Sequence, residues 1–143
     1  MPQTFDQFGI KFQYPDNWTL DDADLRAGNT AITIFSPGGA FWSVALHEAD
    51  ANPERMAKAA LEAMQKEYDS VEFESVVESV GAFKMTGYDL NFFCFDLTST
   101  AKIRSFQLDR RTFTIYCQGE DREFAEIGRV FDAMTFSMLL GLK

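Results

Sequence analysis

Between Tyr88 and Gln118 the chain sets bulky apolar residues at alternate positions of three runs, Tyr88 to Leu97, Lys102 to Asp109 and Thr112 to Gln118. Alternation at period 2 specifies β-strands with one buried face. Three such runs in succession predict an antiparallel meander, with connections at Thr98-Ser99-Thr100-Ala101 and Asp109-Arg110-Arg111-Thr112. Pairing centred on those connections sets Cys94 opposite Ser105 and Arg104 opposite Cys117. One face then collects Phe93, Phe95, Leu97, Phe106, Leu108, Phe113, Ile115 and Cys117, a core surface that needs a helix over it. The other mixes Tyr88, Leu90, Phe92, Cys94, Ile103 and Tyr116 with Ser105, Gln107, Thr112 and Thr114. The two cysteines fall on opposite faces, two strands apart at roughly 9–10 Å. A disulfide spans about 7 Å at most, so this register predicts reduced thiols.

The flanking segments supply more strands and the helices. Ile10, Phe12 and Tyr14 alternate with Lys11 and Gln13, and Pro15-Asp16-Asn17 turns the chain before a short strand at Trp18 to Leu20. Ala31 to Phe35 and Phe41 to Glu48 form a hairpin across Ser36-Pro37-Gly38-Gly39-Ala40. Asn52-Pro53 is a helix start, a capping side chain followed by proline at the first helical position. Ala57, Ala60, Leu61, Met64 and Tyr68 then recur at helical spacing. Val71 to Val80 is a strand with a wet side of Glu72, Glu74 and Glu78. Glu120 to Met134 returns to the helical period through Phe124, Ile127, Gly128, Phe131 and Met134, and Thr135 to Leu139 is expected to close the sheet as a strand. This order predicts an α+β protein, an antiparallel β-sheet with helices packed on its faces. Fifteen phenylalanines in 143 residues supply the rings to fill such a core.

Charge narrows the function classes. The net charge is −9, which argues against nucleic-acid and anionic-lipid partners, since both need Lys and Arg to neutralise phosphate. The imbalance lies in residues 1–80, with 5 basic and 14 acidic residues; residues 81–143 hold 8 of each. Lys102, Arg104, Arg110 and Arg111 make the one local basic cluster, suited to an acidic partner or a phosphate. No signal peptide begins the sequence and no run is long enough to span a bilayer, so membrane insertion is not expected and the cytoplasm is the expected compartment.

Reactive chemistry is sparse. His47 is the sole histidine, which excludes a two-histidine metal site within the chain. Asp21-Asp22-Ala23-Asp24 fails as a calcium loop, because Ala27 stands where glycine is required and Thr33 where glutamate is required. No activating motif surrounds Cys94 or Cys117, and no phosphate-cradling glycine loop occurs. The expectation is no catalytic residue, no metal and no cofactor.

Two stretches carry a resemblance. Phe8-Gly9-Ile10-Lys11-Phe12-Gln13-Tyr14-Pro15-Asp16-Asn17-Trp18 resembles the opening of the PsbP-like superfamily, and Phe113-Thr114-Ile115-Tyr116-Cys117 followed by an acidic helix and Phe131-Asp132-Ala133-Met134-Thr135-Phe136 resembles its close. The superfamily includes photosystem extrinsic proteins, a Ran-GTPase-binding nuclear-import factor and bacterial DcrB-like proteins, some of them cytoplasmic adaptor chaperones. The resemblance implies one PsbP-like domain over residues 1–143, an α/β/α sandwich that binds proteins. The expected function is a non-catalytic protein-binding module, an adaptor or chaperone of the DcrB-like type. Its docking surface is expected on the mixed sheet face, with Tyr88, Leu90, Phe92 and Tyr116 as apolar contacts and Arg104, Arg110 and Arg111 as charged ones. A small-ligand binder or enzyme with a pocket between sheet and helices is the alternative, and a homodimer through the same face the third reading.

Overall fold

The computed structural model describes residues 1–27 and 30–142. In chain order these form β1 (Gln3–Gln7), β2 (Ile10–Tyr14), β3 (Thr19–Asp21), α1 (Ala23–Arg26), β4 (Ala31–Phe35), β5 (Phe41–Leu46), α2 (Pro53–Glu67), β6 (Glu72–Val80), β7 (Phe83–Cys94), β8 (Leu97–Leu108), β9 (Arg111–Glu120) and α3 (Asp121–Gly141). Strands β1 and β2 make a separate hairpin. The other seven make one antiparallel sheet in the order β3-β4-β5-β9-β8-β7-β6. The fold is the expected α+β sandwich, with α2 on one face and α3 on the other.

Each face has its own core. Under α3 and the β1–β2 hairpin, Phe12, Trp42, Phe106, Phe113, Phe131, Met134 and Met138 are all nearly or fully buried. Phe12 packs on Trp42 at 4.8 Å between ring centroids and Phe106 stacks on Phe113 at 5.1 Å. Such ring pairs add roughly 0.5–1.5 kcal/mol each beyond area burial. The Trp42 indole N–H donates to Thr135 Oγ1 at 3.0 Å, tying β5 to α3. Under α2, a smaller cluster joins Ala57 and Leu61 of the helix to Leu90, Phe92, Ala101 and Ile103 of the sheet. Helix α2 begins as expected: the Asn52 Oδ1 accepts from the Arg55 amide at 3.1 Å and Pro53 occupies the first turn.

Three expectations are corrected. The β7–β8 connection is the pair Phe95-Asp96, with φ of +51° and +65°, so Cys94 faces Leu97 rather than Ser105. Two left-handed residues in succession mark a type I′ turn, whose twist suits a two-residue hairpin. Thr98 to Ala101 is strand, because polar residues on a pleated surface are as compatible with a strand as with a loop. In the next pair Lys102, not Arg104, faces Cys117. Finally, Thr135 to Leu139 is helix: Phe131, Met134, Met138 and Leu139 are all buried at helical spacing, so the apolar stripe of α3 continues through it. Both register displacements are even, which preserves the faces. Leu97 changes face, because it opens β8 after the turn instead of ending the strand before it; Phe95 sits in the turn itself at 95% exposure, and Phe93 keeps its face but lies outside the core at 62%.

Candidate docking groove

Helix α2 decides what the mixed face can offer. Its apolar stripe settles over β7, β8 and β9, and β5 is not among the strands it packs closely against. Leu90 and Phe92 are thereby buried, at 0% and 3% exposure, and Phe92 packs on Tyr68 at 4.5 Å. These two residues present no open contact, which corrects the expectation of an exposed surface there. Tyr88 is half-buried, edge-on to Phe73 at 5.9 Å. Tyr116 is half-buried as well, its hydroxyl 2.5 Å from Gln118 Oε1 and 3.0 Å from Met64 Sδ. Burial pushes its pKa well above the ordinary tyrosine value.

The basic cluster is dispersed among separate environments. Arg104 is buried on the α3 side, where Nε donates to Glu78 at 2.5 Å and Nη2 to Asp89 at 2.7 Å. Burial works against its charge, but the two carboxylates outweigh that and raise its pKa. Arg110 is exposed and donates to Asp50 Oδ2 at 3.0 and 2.7 Å. Arg111 lies 5.5 Å over the Phe113 ring. No single partner surface gathers the three.

A groove does open beside α2. Ser43, Ala45, His47, Met56, Ala59, Ala60, Ala63, Met64, Glu67, Thr114 and Tyr116 line a space of about 590 Å³. Glu67 is its one carboxylate, and burial lowers the pKa of His47 so that its neutral form is favoured. From Tyr116 a row of rings continues along the sheet, with Phe41 5.7 Å from Tyr116 and 5.6 Å from Phe35. His47 Nε2 shares a hydrogen bond with Thr114 Oγ1 at 2.7 Å, and Thr114 shares one with Ser105 at 2.8 Å. Ser105 is fully buried, so these bonds run inward from the groove and satisfy hydroxyls of the interior. Of the residues expected to dock a partner, Tyr116 alone lines the groove. Ala45 of β5 and Ala59 and Ala63 of α2 are not among the expected contacts, and the trace of the two helical ones in the sequence is an alanine surplus on α2 beyond its buried stripe.

A second hollow, about 220 Å³, lies on the α3 side and is lined by Glu78, Lys102, Arg104, Asp132 and Thr135 over Met85, Ile115, Cys117 and Phe131. Its cysteine is not a ready nucleophile, because burial pushes the Cys117 thiol up to about 12. Cys94 is half-buried on the other face, with Sγ 3.9 Å from the Tyr68 hydroxyl. Iodoacetamide at pH 8 is therefore expected to label Cys94 in the native protein and Cys117 only after unfolding in guanidinium. Mass spectrometry reads the order, and native labelling of Cys117 at the rate of Cys94 would contradict the burial described. Among the described residues no group of three or more His, Cys, Asp or Glu could hold a metal, and no helix is long and apolar enough to cross a membrane.

No protein-family model and no curated protein matches the sequence. Solved structures match along nearly the whole chain. Cyanobacterial PsbP (CyanoP) from Synechocystis sp. PCC 6803 superimposes with a TM-score of 0.62 at 14% identity, covering 95% of this chain and 90% of that one. The Saccharomyces cerevisiae Ran-binding protein Mog1p gives 0.57 at 11% identity, over 99% and 92%. LpqN of Mycobacterium tuberculosis, involved in cell envelope biogenesis, gives 0.54 at 14% identity, over 94% and 87%. The chain has the PsbP-like fold.

Proposed function

We propose that this protein is a non-catalytic binding module that holds an apolar helical segment of another protein in the groove between α2 and β5, a cytoplasmic adaptor or chaperone of the DcrB-like type. The observation that carries the reading is the groove's composition. In a chain of net charge −9, eleven lining residues include one carboxylate. Such a lining favours an uncharged occupant, since an unpaired charge brought against it loses its hydration. The alanines on both walls let a helix backbone approach closely, and the methionines and aromatic rings adapt to its side chains. A helix of roughly 15 residues, about 22 Å long, matches the length of α2.

A synthetic leucine/alanine helix of about 20 residues with a lysine at each end is a suitable probe. Its fluorescence titration is expected to give saturable binding. Ala59 and Ala63 are exposed, so Ala59→Glu/Ala63→Glu is expected to leave the melting temperature nearly unchanged. The same pair of changes is expected to weaken binding by about tenfold or more, because two carboxylates would be desolvated by the occupant. Equal affinity for the variant and the unmodified protein would remove the groove from consideration.

A further inference from the structure

The two edges of the seven-stranded sheet are unlike. One ends on β3, three residues long; the other ends on β6, nine residues long. β6 contains no proline or lysine, and the charges that guard it against indiscriminate pairing are all glutamates, Glu72, Glu74 and Glu78. Among the described residues no strand lies beside its outer backbone N–H and C=O groups, an edge open to an added strand.

Its side chains specify what kind. On the α3 side stand Glu72, Glu74 and Glu78, and Asp89 of β7 lies directly opposite Glu74. Arg104 is paired with Glu78 and Asp89. Among the described residues no cation lies within ion-pair distance of Glu72 or Glu74. On the α2 side, Phe73 and Val77 are 51% and 65% exposed, a short apolar row along the same edge. A second copy is a poor occupant, because pairing β6 with β6 sets one glutamate row beside another, and like charges on neighbouring strands repel.

We propose that β6 is a strand-addition site for an extended segment of another protein, one carrying Lys or Arg at alternate positions and apolar residues between them. The cations would lie along the glutamate row and the apolar residues beside Phe73 and Val77. The site lies at the β6 edge, with β7 and β8 between it and the strands that line the α2–β5 groove, and does not depend on the reading of that groove.

The test uses the full chain and two nine-residue probes, one alternating lysine with valine and threonine, the other with glutamate replacing each lysine. Native-state hydrogen exchange followed by NMR is expected to show slower exchange of β6 amides with the lysine peptide, and none with the glutamate peptide. Glu72→Lys/Glu74→Lys changes two exposed side chains and is expected to weaken the lysine peptide about tenfold, since two cross-strand charge pairs become like-charged. The reversed glutamate peptide should then bind this variant, a rescue that a merely unfolded protein cannot show. Equal binding of both peptides to the unmodified chain, protection at β3 or along the groove instead of β6, or self-association through β6 would each overturn the proposal.

Discussion

Replacing Gly87 by alanine is expected to destabilise the protein by about 3 kcal/mol, and replacing it by valine to prevent folding. Gly87 lies within β7 opposite Arg104 of β8. A Cβ built on it lands on the backbone carbonyl of Ile103. Backbone in the middle of a sheet cannot yield as a flexible side chain can, so the overlap must be relieved by parting the two strands. Overpacking of well-filled interiors typically costs about 1–3 kcal/mol, and this site belongs at the upper end because the obstacle is main chain. A loss of that size is a large share of a typical domain stability of roughly 5–15 kcal/mol. Gly128 is the internal control. Its Cβ would meet only Phe124 ring atoms at 3.7 and 3.8 Å, and it sits within α3. Gly128→Ala should therefore stabilise by about 0.5–1 kcal/mol through helix propensity. Urea denaturation reads both, and a Gly87→Ala variant within about 0.5 kcal/mol of the unmodified protein would contradict the close approach of β7 and β8.

The second large effect belongs to Arg104. Its guanidinium lies against the sheet where Gly87 leaves the surface bare, and Nη1 donates to the carbonyls of Ile103 at 2.9 Å and Tyr88 at 3.2 Å. With Glu78 and Asp89 it makes a triad whose cation is buried and whose carboxylates are about half-exposed. Removing one member of a buried pair costs about 3–5 kcal/mol, but water reaches the carboxylates here, so Arg104→Met is expected to lose nearer 2–3 kcal/mol. Adding Glu78→Gln and Asp89→Asn to Arg104→Met should recover part of that loss, because the repulsion between the two carboxylates goes with them. If the triple variant is no more stable than Arg104→Met, the triad is not the source of the effect.

Residue pattern carries some of these features and not others. The facing of the meander was readable because a register error of an even number of residues leaves every side chain on its own face. Phe106, Phe113 and Ile115 thus reach the α3 core as expected. The start of α2 was readable because Asn52-Pro53 is local chemistry. The turn at Phe95-Asp96 was not, since neither residue is the glycine or asparagine that normally supplies positive φ. β1 was not readable either: Phe5 is its single buried residue, and one residue makes no period. Thr135 to Leu139 reads as a closing strand when taken alone, although the buried set continues at helical spacing through Met138. The groove is the clearest case of information outside local sequence. Both the stripe of α2 and the mixed face were recognised, but how much of the face one helix covers depends on packing between segments far apart in the chain. Leu90 and Phe92 are hidden, and Tyr116 left at the margin, by that placement alone.

The groove is tested most directly by mapping where the apolar helical probe sits on isotope-labelled protein. Titration followed by NMR is predicted to shift the resonances of Ala45, Ala59, Ala63 and Thr114 together, with those of Lys102, Asp132 and β6 unmoved. Shifts confined to the charged hollow around Lys102 and Asp132, or an unchanged spectrum at saturating probe, would contradict a docking function for the α2–β5 groove.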